Sequence, residues 1–243
     1  MNAIEIVDPF ENVELDRAML SFVDENLIPI YRLYAPLVPC LTYGAHQVPE
    51  SELVIALERM SMPLVQRPTG GLEAIHLPSD LLYSIAIPRD HSIAKIDVVD
   101  AFRSLQTPVA QAFESIGLRV EFDASRYASG SGRTKRFCFL YQQVDALMVE
   151  GRKCVGGAIL KGSGGLLLEG TISLSIDYQM LERVFSFRGR AFLERLEKRA
   201  CGLNEIFPKT PLEKLRLTLL HTLSKQFDLF FQRVYKSDLL LKR

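Results

Sequence analysis

Helical spacing of apolar residues brackets a strand-rich middle in this chain, and that order constrains the fold more than any other feature. Near the N-terminus Leu15, Ala18, Met19, Phe22 and Val23 recur at the period of one helical face. Asn12 stands before them as a cap residue, so a helix is expected to open there. Short strands are expected at 31–34 and 37–43, divided by Pro36 and stopped by Gly44. A helix then starts around Pro49 and Glu50 and carries Leu53, Ala56, Leu57 and Met60. Strands at 63–66 and 81–87 flank a turn at Gly70-Gly71. A longer helix spans about 96–116, with Phe102, Leu105, Val109 and Phe113 on one face, and a strand at 118–122 follows. The small, polar stretch Ala128 to Lys135 reads as a loop. Strands at 137–141, 146–149, 154–160 and 166–176 come next, then helices at 178–185, 190–199 and 211 to about 235. The class is α+β with one main sheet.

At 243 residues the chain is long enough for one large domain. The reading is a single domain over 1–243, with a helical C-terminal segment from about 178 and no separate accessory domain. Its 29 Lys and Arg balance 29 Asp and Glu, so no global excess of positive charge would hold a nucleic acid. Cys40, Cys138, Cys154 and Cys201 are too far apart for a zinc knuckle or a CxxC redox pair, and no metal site is expected. With no basic, apolar leader and no apolar run of ~20 residues, a cytoplasmic protein away from membranes is expected.

Chemistry concentrates in two glycine-rich segments. Gln66-Arg67-Pro68-Thr69-Gly70-Gly71 is followed by His76 and Tyr83-Ser84; the second segment runs Gly151-Arg152-Lys153-Cys154-Val155-Gly156-Gly157-Ala158. Adjacent glycines let backbone N–H groups approach a ligand without Cβ interference, and a lysine beside a tight turn places a point charge on a carbonyl or phosphate oxygen. Taken singly each reads as an ordinary turn: the lysine follows no GxxxxG, and neither segment opens a helix.

In this order and spacing the two segments resemble the lipoate–protein ligase A family, within the biotin and lipoate ligases and octanoyltransferases. The first matches a signature of the form RRxTGGGAVxHDxGNLxYS over Gln66 to Ser84, and the second matches GRKxxGSAQ over Gly151 to Ile159. Tyr43-Gly44-Ala45-His46-Gln47 is similar to the family's GRxQ turn, and Leu168-Glu169-Gly170-Thr171 stands at its HGS strand. Departures fall at Ala45, Gln66, Leu72, Leu77 and Ile159. The GRGRxGR-type loop of biotin ligases is absent.

The resemblance implies a ligase-like catalytic domain with a mostly antiparallel central sheet and flanking helices. It implies attachment of lipoate or octanoate to a lysine of a lipoyl carrier domain, in a 2-oxoacid dehydrogenase or a glycine cleavage H-type protein. In the ligase reading, which is placed first, ATP and Mg²⁺ form an acyl-adenylate. Lys153 then contacts the acyl carbonyl and phosphate; Gly70, Gly71, Gly156, Gly157 and Ala158 wall the ligand, and Arg67, Thr69, His76 and Tyr83 support it. The alternative is an octanoyltransferase without cofactor. Arg136-Phe137-Cys138-Phe139 is similar to that branch's ACF segment, whose cysteine carries the acyl group as a thioester, with Arg136 or Lys153 supplying a cation. From residues alone Cys138 reads equally as a buried small hydrophobe, and His76 as a core histidine. Cys154 alternates with Lys153 and should face away from it. A non-catalytic relative that binds an acyl or nucleotide ligand is the reading from a different class. Arg133, Lys135 and Arg136 are the basic patch expected to meet an acidic carrier.

Overall fold

The computed structural model describes residues 4–122, 137–138 and 146–241. The expected loop at 128–135, the rest of the expected strand at 137–141, and Arg133, Lys135 and Arg136 lie outside the described residues.

Among the described residues the main sheet has seven strands. Their spatial order is β1 (Glu5–Val7), β2 (Ile30–Pro36), β6 (Leu81–Pro88), β10 (Gly165–Ile172), β9 (Arg152–Gly162), β8 (Leu147–Val149) and β7 (Glu121–Phe122). Every pairing is antiparallel except β1 with β2. A second sheet sets β3 (Cys40–Tyr43) between β4 (Leu64–Gln66) and β5 (Ala74–His76). The expected α+β class with a mostly antiparallel sheet and flanking helices is what the chain adopts.

One face of the main sheet is covered by α4 (Val98–Ser115) and α8 (Leu212–Leu241), which bury Leu105, Val109, Phe113, Leu219, Leu223 and Phe227 against Tyr83, Ile85, Val155 and Leu168. The other face meets α1 (Pro9–Asn26) through Met19, Val23, Ala86 and Leu167. A separate core joins the small sheet to α2 (Ser51–Arg59), α5 (Tyr178–Phe185) and α6 (Arg190–Arg199), with Leu41, Leu53, Leu57, Phe137, Phe185 and Phe192 inside. Two layers on unequal sheets therefore leave a seam between them, floored by the main sheet.

Several local expectations are corrected. Helix α1 opens three residues earlier than Asn12: Asp8 is the cap, and its carboxylate accepts from the N–H groups of Phe10 and Glu11 at 2.9 and 3.3 Å. Pro9 in the first turn lacks an N–H and has its φ preset, which favours that earlier start. The buried face of α1 runs through Val13, Asp16, Met19 and Val23, leaving Ala18 and Phe22 exposed. Strand β10 stops at Ile172, short of 176, because the Leu174 N–H donates to Asp80 at 3.1 Å and leaves the ladder. Strands β1 and β5 and the short helices α3 (Ser92–Lys95) and α7 (Leu203–Ile206) carry too few residues to show a period.

Gly170 pairs with Tyr83 across β10 and β6, and a Cβ added there would stand 2.0 Å from the Tyr83 ring. Tyr83 is fully buried, so the ring has no room to retreat. Gly170→Ala should therefore destabilise the fold by about 1–3 kcal/mol, read as a lower urea midpoint at unchanged slope.

Candidate active site

Strand β9 carries an irregularity on which the site depends. Leu147 pairs with Val155 and Met148 with Lys153, so Cys154 is an extra residue, a β-bulge. Cys154 and Val155 both point into the main core, and the alternation restarts after them. Strict alternation would put Lys153 on the same face as Val155 and Gly157. With the bulge, Lys153 turns to the opposite face, the side on which Gly156 and Ala158 line a cleft.

There Lys153, 1% exposed, donates to the carbonyl oxygen of Cys138 at 3.2 Å and approaches its Sγ at 3.3 Å. Two further contacts hold the lysine backbone: it bridges to Ala200, and its carbonyl accepts from the Cys201 N–H at 3.1 Å. Cys138 is fixed in turn by donating its N–H to the Glu73 carbonyl at 2.7 Å. Cys40 also lines the cleft, but burial pushes its thiol up to about 12, with Asp80 and Asp8 adding to the effect. Cys154 is pushed up as well, by burial and by its hydrogen bond with Cys201. Among the described residues, Cys138 is the thiol set against an ammonium.

The cleft lies between the two sheets and is partly open to solvent. Val7, Pro9, Val13, Pro36 and Leu82 line an apolar end; Gly71, Leu72, His76, Cys138, Gly156, Gly157 and Ala158 line the part nearer the lysine. Gly71 has φ +88°, a conformation glycine adopts without steric cost, and a Cβ there would meet Arg67 and Ala158 at 3.2 and 3.3 Å. Arg67 stitches this turn: Nη2 donates to the carbonyls of Gly70 and Leu72, both at 3.0 Å, and Nη1 donates to Thr42 Oγ1 at 2.6 Å. Burial draws the Arg67 pKa down and Glu169 opposes that shift. His76 is buried with both ring nitrogens engaged, Nε2 with Thr42 at 2.7 Å and Nδ1 with Thr171 at 3.0 Å. Burial, then Arg67, pushes its pKa down to about 3, so the ring is neutral at physiological pH.

Behind the turn lies a buried polar seam that the sequence did not reveal. Thr69 donates its hydroxyl to Glu169 in a short contact, and Glu169 shares a hydrogen bond with Asp16 of α1. Asp16 is fully buried and also accepts from Asn12 at 3.1 Å and from Arg32 at 3.4 Å. Burial and then Glu169 hold the Asp16 carboxyl well above the usual range, which favours its protonated form. An acid three residues before Met19 on a helix's buried stripe was the available signal. Among the described residues no three His, Cys, Asp and Glu side chains converge as a metal site, and no helix is long and apolar enough to cross a membrane.

Comparison with known proteins decides the family. Residues 8–224 match the model described as the lipoyl protein ligase A/B catalytic domain. The octanoyltransferase LipM of Halalkalibacterium halodurans is 30% identical over 209 residues, covering 82% of this chain and 75% of its own. LipM of Geobacillus kaustophilus is 31% identical over 212 residues, covering 83% and 76%. In three dimensions, lipoate-protein ligase A bound with ATP superposes with a TM-score of 0.67 at 18% identity, over 93% of this chain and 84% of that one. The chain is a member of the lipoyl protein ligase A/B catalytic-domain family. It is accordingly an enzyme of lipoyl or octanoyl transfer.

Within this lipoyl protein ligase A/B domain, Lys153, Cys138, Arg67, Gly71, His76, Gly156, Gly157 and Ala158 converge on one cleft or its rim. Thr69 and Gly70 stand behind the wall and hold Arg67 and Glu169. Tyr83 does not line the cleft: it points into the opposite core, donates to Gln106 and packs at a tilt against Phe227. Of the departures, Leu72 lines the cleft, whereas Ile159 packs on the main core and Gln66 donates to the Ala45 carbonyl at 3.2 Å.

The buried acid pair has a pH signature. Because the folded-state pKa of Asp16 is raised, the native chain binds more protons than the unfolded chain above the ordinary carboxylate range, so the pair's contribution falls as pH rises. Asp16→Asn keeps an acceptor for Arg32 and a donor for Glu169 without an ionisable group. Urea unfolding between pH 5 and pH 8 should show a shallower loss of stability with rising pH in the variant; parallel curves would show that the pair does not retain its proton.

Proposed function

We propose that this protein transfers an octanoyl group from octanoyl-acyl carrier protein to the lysine of a lipoyl carrier domain through a thioester on Cys138. The observation that carries the reading is the 3.3 Å approach of the buried Lys153 Nζ to the Sγ of Cys138, which lines a cleft with an apolar end. An ammonium at that distance stabilises the negative charge the sulfur carries as it attacks. Attack of the Cys138 thiolate on the donor thioester releases the carrier's thiol, and attack of the acceptor amine on the acyl-enzyme returns the thiolate. In both steps the Lys153 ammonium stands beside the reacting sulfur, where charge collects. The relatives named LipM support the transferase over the ligase placed first from sequence.

Glycine cleavage H-type protein and the lipoyl domains of 2-oxoacid dehydrogenases are the acceptor class. The cleft suits an unsubstituted alkyl chain, because its polar walls bond to one another: His76 to two threonines, Arg67 to the turn carbonyls, Tyr34 to Ser84 and Asn12. Among the described residues the fit to ATP and Mg²⁺ is poor. The two buried cations at the cleft, Arg67 and Lys153, donate inward to Thr42, Gly70, Leu72 and Cys138 and are not presented to a triphosphate.

The test supplies apo lipoyl domain with either octanoyl-acyl carrier protein or lipoate plus ATP. Product is expected from the first mixture, with an acyl-enzyme visible by intact mass, and Cys138→Ser should remove both. Lys153→Ala should lower kcat by about 10²–10³. Product from the second mixture alone, unaffected by Cys138→Ser, would instead identify a ligase.

A further inference from the structure

Beside the cleft, outside its lining, lies a buried ion pair with no evident part in binding a ligand. Glu73 is fully buried and accepts from Arg188 Nη2 at 2.8 Å. Arg188, in the 3₁₀ turn between α5 and α6, also reaches Glu50, with Nε at 2.9 Å from its carboxylate. Its guanidinium lies 4.9, 5.2 and 5.4 Å from the ring centres of Phe185, Phe187 and Phe192. Two of those rings pack against Phe137, at 4.9 and 5.9 Å between centroids. Glu73 is therefore held from two sides. Its side chain is tied to Arg188, and its backbone bridges Phe137 and takes the Cys138 N–H.

We infer that the Glu73–Arg188 ion pair is a positioning device for the Cys138 thiol, acting through the Glu73 backbone and the Phe137 cage to keep the sulfur at Lys153. The inference rests on the transferase reading and adds two residues to it. A buried ion pair is weak evidence for stability, since apolar replacements of both partners often serve as well. Its geometric effect is more specific: Arg188 meets Glu73 through Nη2 alone, while Nε and Nη2 both reach one oxygen of Glu50 and the guanidinium lies over three rings, so the donor offered to Glu73 is itself held in place. Here the fixed object is the residue whose carbonyl holds the Cys138 backbone, so a displacement of Glu73 passes directly to the sulfur. Lys153 is anchored by other contacts, through the β9 bulge, through Cys201 and through Ala200, which shares the small-sheet core with Phe137. Loosening Glu73 thus separates the two partners instead of moving them together.

The experiment follows the rate at which iodoacetamide alkylates Cys138 at pH 7, read by peptide mass spectrometry and needing no acyl donor. The double variant Glu73→Leu/Arg188→Met removes both charges, so neither is left buried alone. Its cooperative melt is checked first, and Glu73→Gln is carried alongside to decide the matter should the double variant not fold. Each is made with Lys153 present and in a Lys153→Met background. Expected is about tenfold slower alkylation in the double variant, about threefold in Glu73→Gln, and no further slowing where Lys153 is already absent. Unchanged or faster alkylation, or the same slowing in both backgrounds, overturns the proposal. In steady-state transfer a matching fall in kcat at constant KM for the carrier is expected, and a change confined to KM counts against it. Absence of an acyl-enzyme in the unaltered protein would overturn the transferase reading, while the alkylation cycle would still judge the ion pair.

Discussion

A lysine ammonium buried against a cysteine sulfur is the contact around which this molecule is organised. Removing an ammonium from water costs several kcal/mol unless it is paired and hydrogen-bonded. Lys153 meets that demand with the carbonyl and sulfur of Cys138, which lies 15 residues before it and docks on Glu73 beside the small sheet. The architecture that follows serves both ends of the contact. The bulge at Cys154 turns the lysine to the cleft face, and the α6–α7 connection fastens its backbone. The small sheet delivers Cys138 through Glu73.

The same division explains the cleft. Because the small sheet and the main sheet close separate cores, the seam between them has small residues on both sides: Gly71 from one, Gly156 and Ala158 from the other. Larger side chains there would fill the space an acyl chain needs. Polar groups on the seam are bonded among themselves, from Thr171 through His76 and Thr42 to Arg67, and from Arg67 on through Thr69 to Glu169 and Asp16. Such a wall can be dried by an alkyl chain without leaving donors or acceptors unsatisfied, which is the condition for burying polar surface cheaply.

Much of this was legible in the sequence, and the reasons for the rest are specific. Long apolar periods located α4, α8 and the long strands, because burial of a whole face imposes them. Of the signature residues, Arg67, Gly71 and His76 line one cleft and Lys153 lies against cleft-lining Cys138, since their spacing reflects two turns that meet across the seam. Tyr83, which the signature spacing sets beside them, lies one residue from cleft-lining Leu82 and hence on the opposite face. Asn12 was misread as a cap because Asp8 and Pro9 precede any apolar period. Asp16 and Glu73 were invisible for another reason. A charged residue at a buried position makes sense only once its partners are known, and Glu169 and Arg188 stand 153 and 115 residues away in sequence.

The two chemistries of this family ask different things of one cleft. An adenylating enzyme must hold a triphosphate, so its cations have to face the ligand. A thioester donor arrives already activated, and the protein then needs only a sulfur, a stabilising cation and a dry slot for the chain. In this molecule Arg67 is spent on the carbonyls of its own turn and Lys153 on Cys138. Leu72, where the family signature has its third glycine, places an apolar side chain on the cleft wall. These features act in the same direction. On the transferase reading they fit a site that holds a thiol and not a nucleotide, and the 30–31% identity is to proteins named octanoyltransferases. On the transferase reading the departures from the signature are then not losses of function.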